Sequence, residues 1–295
     1  MSVIGIVGGT GLYELDGLTE KKWQRVDSPF GRPSDDLLFG KLATEQGEHQ
    51  VVFLPRHGRG HKIPPHEIPF LANIDALKRA GVTQVISVSA VGSLRDDRPP
   101  GDFVIVDQFI DRTLRKPTTF FGTGLVAHVS VGHPTCRRLM RDLDTVGTSL
   151  KLPLHAGGTY VVMEGPQFST VAESRLHKSW GADVIGMTNM PEAKLAREAE
   201  LCYATVAMVT DFDSWHPAHD HVDVSQVIKV MHGNSANAKK LLAAVIPVAG
   251  KHEGECEFGC DRALEHAFLT AGNAADPELV KKLDAVAGRV LGRFT

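Results

Sequence analysis

The segment IGIVGGTGLYEL, residues 4–15, joins a run of apolar, mainly β-branched residues to a turn that contains three glycines. The run predicts a buried β-strand, and glycines at its end allow a ligand to approach the backbone closely. Neither common nucleotide motif fits this turn, because Glu14 stands where the dinucleotide fingerprint needs its third glycine and no Gly-Lys-Ser/Thr follows. The turn leaves two interpretations open, an anion-binding loop and an ordinary strand end.

The composition is that of a globular protein without a strong charge bias. The chain has 295 residues, of which 42% are hydrophobic, and this suffices for a substantial core. Its 32 basic and 35 acidic side chains give a net charge of -3, so no global field recruits nucleic acid or an anionic membrane. No apolar run approaches the ~20 residues that a membrane-spanning helix needs. We therefore expect a small-molecule partner, no nucleic acid and no membrane.

The four cysteines are Cys136, Cys202, Cys256 and Cys260. They are too few for a dense disulfide framework in a chain of this length, which favours a reducing compartment and predicts a cytoplasmic protein. Cys256 and Cys260 lie four residues apart, so a local disulfide or thiol pair stays open, whereas the apolar setting of Cys202 is typical of a core residue.

A histidine cluster follows at residues 215–224, with His216, His219 and His221 close to Pro217. The helical H-E-x-x-H signature of zinc proteases is missing, and the proline disfavours a helix at this point. An exposed polar loop is the better interpretation, and we expect no metal site here.

Short apolar segments alternate with helical patterns along the chain. Helical spacing joins Leu71, Ile74 and Leu77 ahead of Gly81, and Pro191 opens a second helix. Beyond residue 222 the chain turns helical, with a further helix from Pro277. The pattern predicts an α/β fold with a mostly parallel or mixed sheet, whose core spans residues 1–250 and carries residues 251–295 as a helical extension of the same domain. The predicted strands cover residues 3–7, 51–54, 84–89, 103–106, 159–163, 183–187 and 203–209.

Polar, charged and small residues follow several of the predicted strands. Ligands of open α/β sheets gather beyond the carboxyl ends of the strands, so these positions are the first candidates for a site. Asp211 and Asp213 share one face if the strand continues through them, and together they would form an acidic end. Phosphate needs a cluster of N–H and O–H donors with a forked guanidinium. The candidate donors are Gly9, Thr10, Arg56, His57, Ser89, Ala90 and Thr188; a solvated basic loop beside ordinary turns is the alternative.

Several longer strings occur in a distinctive order and resemble the trimeric purine nucleoside phosphorylase family, from about residue 4 to about residue 248. This resemblance implies a phosphorylase/hydrolase-like α/β fold, with a central mixed β-sheet flanked by helices, and a homotrimer. It also implies phosphorolysis of the N-glycosidic bond of a purine nucleoside, with inorganic phosphate as co-substrate and no metal or organic cofactor. The strings are GGTGL (8–12), PRHGRGH (55–61), SAVGSL (89–94), PGDFVIVDQFIDRT (100–113), EGPQFST (164–170), WGADVIGMTNMPEAKLAREAELCYA (180–204) and TDFDSW (210–215).

The resemblance also assigns roles to residues. It places phosphate on the same seven residues that the strand ends suggest, with Ser89 acting in catalysis beside Asp211 and Asp213. The two aspartates would face the 6-amino and N7 edge of adenine, and Phe168 and Met187 would lie by the purine and ribose. A 5′-methylthio group would occupy an apolar pocket formed by Val224, Val227 and Ile228, together with His128 of a neighbouring subunit.

Three other functions are alternatives to this one. A phosphorylase for adenosine, inosine or methylthioinosine is the nearest alternative, although an ionised carboxylate repels the carbonyl oxygen of a 6-oxopurine. A nicotinamide-dependent oxidoreductase lacks its third glycine and a clear ribose-binding acid. A nucleoside-binding protein without activity would release no free base in the presence of phosphate.

Overall fold

The computed structural model describes residues 2–9, 12–45, 47–217, 222 and 224–294. These residues form eleven β-strands, all in one sheet, and seven α-helices. The strands are β1 (Val3–Gly8), β2 (Leu18–Gln24), β3 (Leu37–Thr44), β4 (Gly47–Pro55), β5 (Val82–Ser93), β6 (Phe103–Val106), β7 (Gln108–Asp111), β8 (Leu154–Ala156), β9 (Thr159–Val162), β10 (Val184–Gly186) and β11 (Cys202–Asp211). The helices are α1 (Phe70–Arg79), α2 (Arg137–Ser149), α3 (Val171–Ser179), α4 (Glu192–Glu198), α5 (Val224–Gly250), α6 (Pro277–Lys282) and α7 (Asp284–Ala287).

The sheet is mixed, which confirms the predicted α/β class. β1 lies parallel to β4 and β5, and β5 is also parallel to β11. β10 runs antiparallel to β5 but parallel to β9. All seven predicted strands are present, whereas β2, β3, β7 and β8 were not expected. β2 carries mainly exposed polar side chains, and β7 and β8 have only four and three residues, so the apolar signal of these three strands is weak. β3 was missed although Leu37, Leu38 and Leu42 are apolar and buried.

Helices cover both faces of the sheet, because alternate strand residues point to opposite sides. Ile4 and Ile6 of β1 belong to a buried cluster that includes Leu139 of α2 and Val245 of α5. Val7 belongs to a second cluster, with residues of α1, α4 and the C-terminal helices. The sheet is therefore the middle layer of three.

The helical predictions are also confirmed in outline. α1 covers the predicted stripe and ends before Gly81, whose φ of +80° lies in the left-handed region that favours glycine. α6 begins with Asp276 as its N-cap and Pro277 in its first turn, but the predicted stripe continues in a separate short helix, α7. Among the described residues, we find no helix that combines the length and the apolar character of a membrane span.

A buried ion pair ties the end of β4 to the start of α4. Arg56 follows β4 and is 1% exposed, and its Nε donates to Glu192 Oε2 at 2.7 Å. Its Nη2 donates to Glu192 Oε1 at 3.1 Å, so the contact has two parallel hydrogen bonds. Glu192, the first residue of α4, is 2% exposed. The charges of both side chains are thus satisfied only by the protein around them.

We expect the Arg56→Ala variant to be strongly destabilised, because it leaves the Glu192 carboxylate buried without its partner. Breaking a buried pair in this way costs about 3–5 kcal/mol of unfolding free energy. Arg59→Ala is the matched control in the same loop; its partners Asp35 and Asp36 lie nearer the surface, and such exposed pairs contribute about 0–1 kcal/mol. Urea unfolding of both variants measures the difference. Equal destabilisation would show that the buried pair has no special structural role.

Candidate active site

The candidate site lies along one edge of β5, where two neighbouring strands leave a gap. β11 pairs with β5 on one edge as far as Gly92. On the other edge β1 pairs as far as Ser87, and β10 pairs only with Gly92 and Ser93. The four residues Val88–Val91 therefore have no partner on this edge among the strands described. Such a change of neighbour beyond a strand end is where open α/β sheets place their ligands.

Two predicted phosphate residues meet at this gap. Ser89 Oγ and Thr188 Oγ1 lie 2.8 Å apart, although the residues are 99 positions apart in the sequence. Tyr160 Oη lies 3.3 Å from the same serine hydroxyl and is fully buried. A Cβ at Gly186 would collide with the Tyr160 hydroxyl, so the glycine allows the ring to reach the cluster. The result is a group of three hydroxyls that can donate to an anion.

Arg56 adjoins the same gap but does not present a free guanidinium. Its Nη1 donates to the carbonyl of Val88 at 3.2 Å, and its Nη2 also donates to the Ser87 hydroxyl. With Glu192 already bound to it, this charge is largely neutralised within the protein. Arg56 therefore lies at the border of the gap with protein partners, and a direct contact of its guanidinium with phosphate stays a prediction.

A polar network around Glu192 was not anticipated from the sequence. The Oε1 atom accepts from the Ser87 hydroxyl at 2.7 Å and from Tyr203 Oη at 2.8 Å. Asn189 Nδ2 lies 2.6 Å from Tyr203 Oη and 3.1 Å from Ser87 Oγ. These side chains are buried and pair with one another, so they fix the segment that carries Thr188. Their sequence signal was weak, because each is a single polar residue in an apolar context.

The remaining predicted phosphate residues border the same strand ends. Gly9 directly follows β1, and the backbone N–H of Arg56 donates to the carbonyl of Gly8 at 3.0 Å. Ala90 lies within the gap of β5. His57 Nδ1 lies 2.9 Å from the carbonyl of Ile63, which orients its ring. Burial lowers the pKa of His57 to about 4, so this imidazole is neutral at pH 7. Thr10 lies outside the described residues.

The acidic end of the site is built by a bulge at the end of β11. The register shifts between Val209 and Asp211, which brings Asp211 opposite Gly92. A Cβ on Gly92 would lie 2.7 Å from Asp211 Oδ1 and 3.2 Å from Asp213 Cβ, so both aspartates crowd against this glycine. Asp213 has left the strand and adopts a left-handed φ of +49°. The two carboxyl groups come together through a turn, and the expected strand alternation is wrong on this point.

The two carboxyl groups differ in their hydrogen bonds. Asp211 accepts from the Thr210 hydroxyl and from the backbone N–H of Asp213, both at 2.8 Å. Asp213 Oδ2 is buried and makes no hydrogen bond of normal geometry among the described residues, but the Ser174 hydroxyl faces this carboxyl group closely enough to lower its pKa. Burial raises the pKa of both aspartates above the usual range, and repulsion from Asp211 adds to the effect on Asp213. A buried acceptor without a well-oriented donor is suited to an incoming N–H group.

Phe168 and Met187 lie on segments that Arg115 holds together. Phe168 is 42% exposed, just ahead of α3. Arg115 donates to the carbonyls of Met187 at 2.7 Å and Glu164 at 3.0 Å, so it connects the two segments. A Cβ on Gly165 would collide with Met187 Sδ, which explains a glycine at this contact. Arg115 is a positioning residue that sequence analysis did not identify.

The predicted 5′ pocket is open in the single chain. Val224 and Ile228 lie on the first turns of α5 and are 58% and 46% exposed, whereas Val227 is half-buried. Exposed apolar groups on one helix face commonly mark a surface that another molecule covers. His128 is exposed, and its backbone N–H donates to the carbonyl of Ala267 in the C-terminal segment.

Metal ligands are not found among these site residues. Within the described part of the chain, the one cluster of His, Cys, Asp or Glu side chains with suitable spacing consists of the four cysteines. His216 Nε2 lies 3.7 Å from Asp96 Oδ1, and His219 and His221 lie outside the described residues.

The chain is similar to known proteins over nearly its whole length. The sequence matches the phosphorylase superfamily over residues 3–247. It is 56% identical over 290 residues to the S-methyl-5'-thioadenosine phosphorylase of Cereibacter sphaeroides, covering 98% of this chain and 99% of that protein.

Solved structures show the same similarity. A crystal structure of a methylthioadenosine phosphorylase from an antarctic soil metagenomic library superposes with a TM-score of 0.90 at 43% identity, covering 97% of this chain and 98% of that chain. The methylthioadenosine phosphorylase of Schistosoma mansoni in complex with adenine gives a TM-score of 0.84 at 34% identity, covering 90% and 99% of the respective chains. The matched span, the full-length relatives and the shared fold lead to one conclusion: this chain is a member of the phosphorylase superfamily.

Proposed function

We propose that the protein catalyses phosphorolysis of 5′-methylthioadenosine to adenine and 5-methylthioribose 1-phosphate. One observation carries this proposal beyond family membership: a hydroxyl cluster and a pair of carboxyl groups, of which that of Asp213 is buried, lie along the same short stretch of β5. Ser89 marks the first and Gly92, against which Asp211 packs, marks the second. Three strand residues span roughly 10 Å, which leaves room for a ribose between phosphate and base. The names of the similar proteins support the same substrate.

The hydroxyl cluster at one end and the carboxyl pair at the other suggest how the reaction proceeds. An oxygen of phosphate, held by Ser89 and Thr188, attacks C1′ of the ribose while the bond from C1′ to the purine nitrogen breaks. The bonding electrons pass into the purine, and the ribosyl group carries positive charge in the transition state. Phosphate beneath C1′ stabilises that charge, so positioning and electrostatic complementarity supply much of the rate. The reaction as written needs no metal or organic cofactor.

The two aspartates take different roles in this proposal. Burial raises the pKa of both aspartates, so the pair holds a proton more readily than ordinary carboxyl groups do. We assign this proton to Asp211, which can share it with N7 of the departing purine. Asp213 Oδ2, which makes no hydrogen bond of normal geometry among the described residues, accepts from the 6-amino group. The pair thus favours a 6-aminopurine, because a 6-oxo group offers no donor to this oxygen.

In the proposed phosphate site the direct ligands are neutral hydroxyl and N–H groups, and the nearby positive charge of Arg56 is paired with Glu192. The His57 imidazole is neutral and the Arg56 charge is paired with Glu192, so the Ser89 and Thr188 hydroxyls are the proposed direct ligands, together with backbone N–H groups of Ala90 and of the turn at Gly9. Arg56 donates to the carbonyl of Val88 and so helps to hold the neighbouring Ser89 in place for phosphate. Thr10 stays in the proposed set from the sequence alone.

We also propose that the active form is a homotrimer. Val224 and Ile228 expose apolar surface at the predicted 5′ pocket, and a neighbouring copy that supplies His128 would close it. A closed apolar pocket suits a methylthio group, which has no hydroxyl to hydrate. Phe168 and Met187 are proposed to line the purine and ribose beside it.

The direct test is an assay of the purified full-length protein with methylthioadenosine, adenosine and inosine, each with and without phosphate. We expect phosphate-dependent release of adenine, fastest from methylthioadenosine. A preference for inosine would instead show a 6-oxopurine phosphorylase. Absence of free base with every nucleoside would contradict the proposed activity.

The Ser89→Ala and Thr188→Val variants should use phosphate poorly. Each loses a hydrogen bond to a charged group, worth about 1.5–3 kcal/mol, so the phosphate KM should rise roughly 10- to 100-fold. The KM of the nucleoside at saturating phosphate should change little. Thr83→Ala is the matched control, since this hydroxyl lies on the same strand but at its exposed start, beside Ser2. An unchanged phosphate KM in both site variants would remove the hydroxyl cluster from the phosphate site.

Asp211→Asn keeps the shape of the side chain but removes the tunable proton. Turnover of methylthioadenosine should fall by roughly 10²–10⁴, the range of general acid–base groups, while the phosphate KM stays near the parental value. The amide can also donate, so the rate with a 6-oxo substrate should improve relative to the 6-amino one. The comparison is Asp213→Asn, measured at saturating phosphate. If Asp211→Asn keeps near-parental turnover and Asp213→Asn does not, the proton belongs to Asp213.

Val224→Gln should weaken the preference of the enzyme for a 5′-methylthio group over a 5′-hydroxyl group. A larger polar side chain on this face of α5 disfavours a methylthio group and offers a partner to a 5′-hydroxyl. The ratio of kcat/KM for methylthioadenosine to that for adenosine should fall. Leu150→Gln, at an exposed apolar position directly after α2 that is 39% exposed, serves as the control and should leave the ratio unchanged. A ratio that does not fall would exclude Val224 from the pocket.

A further inference from the structure

The four cysteines of the chain meet at one point, although they come from three separate parts of the sequence. Cys136 is the N-cap of α2, and Cys202 is the first residue of β11. Cys256 and Cys260 belong to the segment that follows α5. All four are buried and none is in a disulfide. Their sulfur atoms all lie within 4.8 Å of one another.

The spacing of the sulfurs suits a shared central ion. A tetrahedral zinc ion with Zn–S bonds of about 2.3 Å holds its sulfurs roughly 3.8 Å apart. Cys136 Sγ and Cys256 Sγ are 3.8 Å apart. Two separate disulfides would need only two close pairs, each near 2.05 Å, and would not require all four sulfurs to be mutual neighbours.

The loop between the last two cysteines has the shape of a ligand turn. Its sequence is Cys-Glu-Phe-Gly-Cys, residues 256–260. Gly259 adopts a left-handed φ of +63°, and its N–H donates to the carbonyl of Cys256 at 2.8 Å. Asp261 Oδ2 accepts from the backbone N–H of Cys256 at 3.0 Å. This tight turn directs two thiols from one loop toward the other two.

The surroundings can compensate the charge of bound thiolates. Four thiols that bind one Zn²⁺ release four protons and leave a net charge of -2 at the site. Cys136 lies at the start of α2, where the helix dipole favours negative charge. Arg138, also buried, is held beside it by Gln84 Oε1 at 2.6 Å and Asp142 Oδ2 at 3.2 Å. A fixed arginine and a helix start are the kind of outer contacts that support metal ligands.

We propose that Cys136, Cys202, Cys256 and Cys260 bind one zinc ion that fastens the C-terminal segment to the central sheet. Four protein ligands leave no open position, so the ion is structural and takes no part in phosphorolysis. This inference replaces the expectation that the chain has no metal site, and it explains why thiols rather than other small residues converge here. It is independent of the proposed activity.

The test begins with the unmodified full-length protein, expressed with zinc in the medium and purified under reducing conditions. We expect elemental analysis to find one zinc per chain. The reduced, metal-free protein should bind one Co²⁺ and acquire the thiolate charge-transfer and d–d absorption of tetrahedral cobalt. Stripping the metal should lower the melting temperature, and zinc but not magnesium should restore it.

A pair of variants tests the ligands themselves. Cys256→Ser should retain less than a tenth of the parental zinc after dialysis against a chelator, whereas Glu257→Gln, in the same loop, should retain it fully. If Cys256→Ser does not fold, the zinc content and cobalt spectrum of the parental protein still decide the question. Substoichiometric zinc with no cobalt spectrum would overturn the proposal. Disulfides in protein purified without reductant, seen as an intact mass lower by two hydrogens for each, would also overturn it.

Discussion

The buried pair of Arg56 and Glu192 is the constraint on which the candidate site depends. Taking both charges out of water costs several kcal/mol per ion. The attraction within the pair offsets this free energy only if the two side chains are well oriented and their remaining polar atoms are hydrogen-bonded. Ser87, Tyr203 and the carbonyl of Val88 supply these additional hydrogen bonds. The requirement fixes the end of β4, the middle of β5 and the start of α4 relative to one another. Thr188 and Ser89 can meet because these three elements cannot shift independently.

The two ends of the candidate site carry different polar groups. The gap in the pairing of β5 provides hydroxyl and backbone donors, whereas the bulge at the end of β11 provides two carboxyl groups in a buried setting. The phosphate end and the base end lie three residues apart on β5. The rise of this strand therefore sets the distance between them, and this distance leaves room for the ribose. The 5′ pocket differs, because α5 leaves its apolar face exposed and the proposed neighbouring subunit has to complete it.

Sequence alone located the strand ends but not the contacts between them. Ser89, Thr188 and Asp211 were found because each directly follows or ends an apolar strand, and the structure brings the first two within 2.8 Å. The paired state of Arg56 was not foreseeable, since its partner Glu192 is 136 residues away and looks like an ordinary helical glutamate. The four cysteines show the same limit: their local spacing suggested at most a pair, and only the packing of α2, β11 and the C-terminal segment brings all four together. Local pattern predicts elements, while long-range packing decides which polar groups become partners.

In the proposed site the gap along β5 binds phosphate and the bulge of β11 binds the base. The decisive experiment is a crystal structure of the protein with phosphate and adenine bound. We expect phosphate oxygens within hydrogen-bond distance of Ser89 Oγ and Thr188 Oγ1, with the adenine 6-amino group against Asp213 and N7 against Asp211. Phosphate bound elsewhere with these hydroxyls still paired to each other, or adenine away from both aspartates, would contradict the proposed site.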